Sequence, residues 1–415
     1  MFNFIAIVFG AVLGAVSIAV VLSVVLAGII FGGLLGSVIG FTSGVVSAIV
    51  ISSVLIYFVA FMVIVELRTR GDRYFSRPLE ERRKMREMIA RNAAYIRPVF
   101  DFIAKYYRFK SIPVFLYQGV SGPFGMSSKK SYAATVAYEP QANDVFVATQ
   151  MKCGTTWMQQ VVFEILFKGE GDLSDDGYRH MYAVSPWIET DPTSSVPFNK
   201  APLLGENKIR LIKTHMPAQL IQQNDAAKYI YVTRHPVSCF ASVIDFVHML
   251  AGPLSPTRQN LLEWYCSEEM FWQRWPDHVE GWWRRSQDHD NVLFVHFEEM
   301  KKDLGAVVDR VATLLEVTLT AEERLKVVEK SGFSYMSENE EHFEMFSPNV
   351  FSVSEKEGRF MKSGALERFN DATEYEKKRI NEMCQQCLAE ASYPIDKFYP
   401  DVVEGINAKK AAPAT

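Results

Sequence analysis

Val145-Phe146-Val147-Ala148-Thr149-Gln150-Met151-Lys152-Cys153-Gly154-Thr155-Thr156-Trp157, continued by Met158 to Phe167, is the stretch on which the reading of this chain turns. Val145 to Ala148 is a short, partly β-branched apolar run of the kind that fills a central strand. From Trp157 the apolar side chains recur at helical spacing, with Trp157, Val161 and Ile165 on one side and Val162 and Leu166 beside them. The loop between strand and helix carries Lys152, Gly154, Thr155 and Thr156. The first N–H groups of a helix have no partner within it, so such a loop is a ready anion site. Lys152 adds a full charge, Gly154 permits close approach of the backbone, and the two hydroxyls donate further hydrogen bonds. It is not a Walker A loop, because the GxxxxGK[ST] spacing is absent and the Lys precedes the Gly.

Further chemistry-bearing segments follow in order. After a loop-rich region with Tyr182, Trp187 and Phe198, suited to a lid or wall, comes Arg210-Leu211-Ile212-Lys213-Thr214-His215-Met216-Pro217. A strand there projects Lys213 and His215, at i and i+2, to the same side. Imidazole, with an ordinary pKa near 6.5, accepts a proton from an alcohol at neutral pH. Tyr229 to Thr233 is a second buried strand that delivers Arg234 at its carboxyl end, where parallel sheets bind ligands. The guanidinium suits a phosphate, and Ser242 lies two helical turns inside the next helix. Val292 to His296 is a further strand, leading into Phe297-Glu298-Glu299-Met300-Lys301-Lys302-Asp303, whose paired carboxylates are expected to cap the next helix. Ser331-Gly332-Phe333-Ser334-Tyr335-Met336 and Phe360-Met361-Lys362-Ser363-Gly364 come next, and Lys377 to Glu390 reads as a final helix.

Lys152-Cys153-Gly154-Thr155-Thr156-Trp157 resembles the 5′-phosphosulfate loop of sulfotransferases that use 3′-phosphoadenosine-5′-phosphosulfate (PAPS). Lys213-Thr214-His215-Met216-Pro217 resembles that family's catalytic His segment, and Arg234 followed by Ser242 its 3′-phosphate site. Phe333 and Met336 match the adenosine-contacting segment, and Lys362-Ser363-Gly364 resembles a closing Arg-Lys-Gly loop. Four positions depart from the pattern: Cys153 where many members have Ser, Phe297 for the usual Tyr, Ser363 where a cation is lost, and Phe369 where a Trp is common. The resemblance spans about residues 131 to 400. It implies a three-layer, P-loop-like α/β domain with a central parallel sheet. It also implies in-line sulfuryl transfer, in which His215 removes the acceptor proton, Lys152 neutralises charge on the leaving 5′-phosphate and Lys213 supports the transferring group. Trp157 would stack on the adenine, and Arg234, Ser242 and Lys362 would hold the 3′-phosphate. Cations already in place make a metal unnecessary. Cys153, beside Lys152 and a helix N-terminus, is expected to be a low-pKa thiol that alkylates readily and is protected by bound nucleotide.

The chain has 415 residues and a formal net charge of −4, which argues against a general nucleic-acid binder. Its five cysteines are odd in number and scattered, so they form no disulfide framework and suit a reducing compartment. Cys384-x-x-Cys387 has no second pair and sits in helical surroundings, so it reads as a helix-face coincidence. Residues 1 to 65 carry no charged side chain. As one helix, Ile5 to Val65 would run to roughly 90 Å, far beyond a single span of about 30 Å. Residues 1–66 are therefore expected to be a transmembrane domain of two, or three shorter, helices preceding the soluble part. Gly28, Gly32, Gly36, Gly40 and Gly44 would line one helix face, or some of them would form a hairpin turn. Residues 67–130 form a basic juxtamembrane segment, with Leu79 to Tyr95 as a surface helix and Phe100 to Tyr117 mixing aromatics with basic residues as an interfacial segment would. The positive-inside rule places this flank, and the catalytic domain of residues 131–400, in the cytoplasm, and 401–415 reads as a loose tail.

The acceptor is left open among phenol, sterol, lipid, small alcohol, amine and glycan, with the membrane domain favouring an apolar or lipid molecule. Membrane lipids are expected partners, and the oligomeric state is open. A Golgi-type carbohydrate sulfotransferase and a non-catalytic, nucleotide-binding scaffold are the competing readings. A kinase-like enzyme would need a Mg²⁺-holding Asp at a strand end and a Lys after the Gly, and neither is found.

Overall fold

In this computed structural model the described residues are 71–95, 97–191, 195–345 and 368–403, with a few helical residues between 44 and 60. Apart from those few residues, the segments expected to span a membrane lie outside them, as do the Lys362-Ser363-Gly364 loop and most of the tail. Residues 1–69 and 70–415 form two separate compact units, and the second holds all the described strands.

Six strands are described: β1 (Val114–Tyr117), β2 (Val120–Pro123), β3 (Asp144–Thr149), β4 (Arg210–Thr214), β5 (Lys228–Thr233) and β6 (Val292–His296). β1 and β2 form an antiparallel hairpin, and the other four build one parallel sheet in the order β4-β3-β5-β6. The apolar runs are strands because parallel strands covered on both faces must be apolar throughout. β3 is buried along its whole length.

Alternation along the strands gives the two faces different characters. Val145, Val147, Leu211, Ile230, Val232 and Val295 join one aliphatic core with Val161, Ile165, Val307, Val308, Val311 and Val327. That layer comprises helices Thr155–Leu166, Leu304–Leu314 and Ala321–Lys330. The opposite face is aromatic. Phe146 stacks on Tyr229 at 5.1 Å, Tyr231 stacks on Trp282 at 5.4 Å, and helix Trp275–Asp288 covers it. Helices on both faces of the central parallel sheet make the domain three-layered, and helix Glu374–Leu388, which carries Cys384 and Cys387, packs on helix Trp275–Asp288. Helix Pro236–Leu254 is long and apolar enough to cross a bilayer, but it is mostly buried in this domain.

Strand register brings the chemistry together. Ala148 is level with Thr214 and Tyr231, Thr149 with Val232, and Thr233 with His296. The residues after these strand ends, Gln150 to Gly154, His215, Arg234 and Phe297, therefore emerge at one edge. Chain order also reverses about β3, since β4 adds on one side and β5 on the other. Ligands of open α/β sheets bind at such a switch point.

The basic segment before the domain is packed onto it. Helix Leu79–Ala93 buries Met85 and Ile89, and Arg82 is only 1% exposed. The Arg82 guanidinium donates to the carbonyls of Glu341, Arg179 (2.9 Å) and Arg77 (3.3 Å). A helix expected on the surface is thus pinned by a charged side chain, whose stem and three hydrogen bonds fit the interior. Farther on, Ser128 caps helix Lys129–Val136 and bonds Asp191, so the sequence boundary near residue 130 is a helix start. Arg82→Ala is expected to leave these carbonyls unpaired and to destabilise the domain by about 3 kcal/mol. A thermal midpoint equal to wild type would contradict that.

Candidate active site

The loop after β3 turns through two left-handed residues, Lys152 at φ +66° and Gly154 at φ +104°. Gly154 caps helix Thr155–Leu166, and a Cβ there would lie 2.8 Å from the Phe297 ring. Only glycine meets both constraints. Thr155 Oγ1 pairs with Thr149 Oγ1 at 2.7 Å, tying the helix start back to the strand. Gln150, fully buried, donates to the carbonyls of Phe271 and Gln273 at 3.2 and 3.3 Å. It holds the 271–273 crossing, where Trp272 adopts φ +59°.

His215 lies at the end of β4, next to this loop. Its Nδ1 is 2.8 Å from the Thr149 carbonyl, which only accepts, so Nδ1 carries the proton and Nε2 is the basic nitrogen. The Trp187 and Trp272 rings flank it at 5.0 and 4.8 Å. Burial, with Lys213 nearby, holds its pKa well below the ordinary histidine value, so the ring is neutral at pH 7. A second buried histidine supports it: His278 Nε2 donates to the His215 carbonyl at 2.9 Å, and Tyr231 donates to His278 Nδ1 at 2.8 Å.

Lys213 projects to the same side. Its Nζ is 3.1 Å from Tyr182 Oη and 3.9 Å from the centroid of the Trp187 ring. Burial lowers its pKa to about 7, with Glu189 opposing the shift and Lys152 adding to it. Arg234 stacks on Phe297 at 4.5 Å and forms no ion pair among the described residues. Ser242 faces the same cleft from helix Pro236–Ala251. Trp157 has its indole N–H fixed on the Ser331 carbonyl at 2.7 Å, with Phe297 edge-on at 5.3 Å. Lys301 lies above both the Trp157 and Phe333 rings, at 5.4 and 5.5 Å.

One cleft is lined by Lys152, Gly154, Thr155, Thr156, Trp157, Lys213, His215, Arg234, Ser242, Phe333 and Met336. Tyr182, Trp187, Phe246, Met249, Trp272, Phe297 and Lys301 also line it, together with Arg368 and the Asp245 carboxylate with which it pairs. Phe198 does not join it and packs instead on Tyr138 and Arg210. The paired carboxylates divide their work. Glu299 caps helix Phe297–Lys302, while Glu298 accepts from the His235 backbone and the Tyr399 hydroxyl.

Cys153 is a correction. Its side chain points away from the cleft into the core, fully buried, with Sγ 3.2 Å from Cys239 Sγ. Burial drives its pKa well above the usual thiol value, overriding the nearby cations. The expectation of a low-pKa, nucleotide-protected thiol took account of neighbours along the chain and not of the direction the side chain takes. Trp272, His278, Glu189 and Arg368 were missed altogether. Each comes from a loop or helix whose approach to the strand ends leaves no local pattern in the sequence.

A strand-end loop with a lysine, further cations and a neutral imidazole in one cleft fit a group transferase acting on an anionic donor. A sulfotransferase-domain family model matches residues 142–392, and the chain belongs to the sulfotransferase family. It is a PAPS-dependent enzyme of that family. It is 28% identical to rabbit (Oryctolagus cuniculus) amine sulfotransferase over 66% of this chain and 89% of that protein. It is 31% identical to Homo sapiens sulfotransferase 2B1 over 60% of this chain and 67% of that protein. The fold is that of mouse sulfotransferase SULT7A1, solved in complex with PAP: TM-score 0.51 and 19% identity, over 71% of this chain and 99% of that one.

With native protein, an alkylating reagent is expected to label half-buried Cys387 while Cys153 reacts only after unfolding, whether or not nucleotide is bound. Rapid native labelling of Cys153, read by mass spectrometry, would overturn its inward placement.

Proposed function

We propose that the chain is a membrane-anchored sulfotransferase that moves a sulfuryl group from PAPS to a hydroxyl or amine of a small apolar or lipid acceptor. The observation that carries this reading is the Nδ1–H bond of His215 to the Thr149 carbonyl, which leaves Nε2 of a neutral, cleft-lining imidazole as the proton acceptor. PAPS supplies a sulfuryl group already activated by its anhydride link to phosphate.

The residues present fit that donor. Lys152 and the N–H groups of the loop through Thr156 hold the 5′-phosphate end and offset charge there as the bond breaks. Arg234 and Ser242 hold the 3′-phosphate, and the sequence resemblance assigns Lys362, Ser363 and Gly364 to the same phosphate. The adenine lies against Trp157, Phe333 and Met336. On the acceptor side His215 takes the proton, and Lys213 stands by the transferring group. None of these roles requires a metal ion.

An apolar acceptor is supported by the Trp187 and Trp272 rings against His215 and by Tyr182, Phe246 and Met249 elsewhere in the cleft wall. Such rings bind flat or aliphatic carbon and exclude water. Anchorage rests on the sequence: residues 1–66 are uncharged up to Glu66, and the basic flank of residues 67–130 puts the catalytic domain of residues 131–400 on the cytoplasmic side.

The test is sulfuryl transfer by the detergent-purified full chain across a panel of apolar alcohols, phenols, lipids, amines and glycans. Transfer to apolar acceptors is expected, and transfer confined to glycans would overturn the acceptor class. His215→Ala should lower kcat by about a hundredfold or more. Its calorimetric affinity for PAP should be unchanged and still exceed that for AMP. Normal turnover in this variant would reassign the base. In sealed vesicles with the cytoplasmic face inside, added protease should spare the catalytic domain until detergent is present, and digestion without detergent would reverse the topology.

A further inference from the structure

Glu189 is a fully buried carboxylate with no part in the roles proposed for the cleft-lining residues. The segment carrying it runs beside β4. Lys213 N donates to the Pro186 carbonyl at 2.9 Å, and Ile188 N donates to the Lys213 carbonyl at 3.1 Å. Trp187 is thereby in register with Lys213. Glu189 Oε1 accepts from the His215 backbone N–H at 2.6 Å and from the Trp187 indole N–H. Its Oε2 accepts from Thr214 Oγ1 at 2.9 Å. One carboxylate thus ties down the turn that carries His215 and the indole on whose face the Lys213 ammonium rests.

We propose that Glu189 is the positioning residue of this site: it fixes His215 and supplies, directly and through the Trp187 ring, the negative charge that keeps Lys213 an ammonium in the cleft. The inference rests on the roles proposed for His215 and Lys213. A carboxylate accepting the indole N–H pushes electron density onto the ring face, which strengthens its hold on a cation. The other groups facing Lys213 do not supply that charge. Tyr182 Oη accepts as a neutral hydroxyl, His215 is neutral, and Lys152 repels. Burial alone would strip the proton from the lysine, and among the described residues Glu189 is the neighbour whose charge opposes this. The carboxylate carries its own desolvation, which raises its pKa to about 6, so it is predominantly ionised at pH 7.

Removing the negative charge favours the neutral amine, so the Lys213 pKa falls below about 7 in a variant that lacks it. Trace acetylation with acetic anhydride across pH, read at Lys213 by mass spectrometry, measures that pKa without relying on turnover. In Glu189→Gln the labelling profile should move to lower pH, and the alkaline limb of kcat/KM should move with it. A limb lowered by one pH unit reduces activity above it about tenfold. Glu189→Asp keeps the charge and should retain the wild-type midpoint even if kcat falls. Trp187→Phe keeps a ring but loses the indole N–H, and should shift the midpoint the same way. It serves as the test should Glu189→Gln fail to fold. A Glu189→Gln, or in its place a Trp187→Phe, profile that coincides with wild type overturns the inference. Shifted labelling profiles in a protein that transfers no sulfuryl group would leave the inference standing and sink the sulfotransfer reading it builds on.

Discussion

The in-register parallel pairing of β3 with β4 and β5 is the constraint from which the rest of the site follows. Parallel hydrogen bonding makes strand ends level, so the loop after Thr149, the His after Thr214 and the Arg after Thr233 leave the sheet together. A one-residue slip would turn Lys213 and His215 to the opposite face and bury the wrong side chains. The contrast between an aliphatic face and an aromatic face makes that slip costly, because valines would meet the tryptophan layer and tyrosines the valine layer. Core packing and site geometry are thus set by one register.

Burial then gives the cleft its chemistry. Lys213 is lowered toward neutrality, Lys301 is lowered by burial and by Arg234, and His215 is held neutral. Asp245 lines the cleft paired with Arg368, and Glu189 opposes the lowering of Lys213; a ligand with several negative charges would further stabilise the charged forms of these lysines. The aromatic rings beneath these cations, Phe246 under Lys152, Trp187 under Lys213 and Phe297 under Arg234, lessen the cost without cancelling the charge.

Much of the fold was legible because its signals are local. Val145 to Ala148, Tyr229 to Thr233 and Val292 to His296 are apolar runs too short for helices and too continuous for exposed strands, and each is a sheet strand. Trp157 to Phe167 has helical periodicity, and the helix observed starts two residues earlier, at Thr155. Residues carried by strand ends, such as His215 and Arg234, could be placed because the strand fixes both their position and the side to which they point.

What the sequence by itself determined was therefore the order of elements and the residue types at the sheet's edge, since backbone periodicity and motif spacing depend only on neighbours in the chain. Tertiary structure decided the rest. Cys153 stands beside Lys152 in sequence, yet its thiol faces Cys239, 86 residues away, because the left-handed turn at Lys152 and Gly154 directs it into the core. Glu189 lies 26 residues before the His215 backbone it clamps, and His278 lies 63 residues beyond the carbonyl it supports. Arg82 reads as one more surface charge until Glu341 and Arg179 bring their carbonyls to it. In each case a polar or reactive group is matched to a partner across the interior. The energy that decides such matches is desolvation, which depends on what packs against a residue and not on what precedes it.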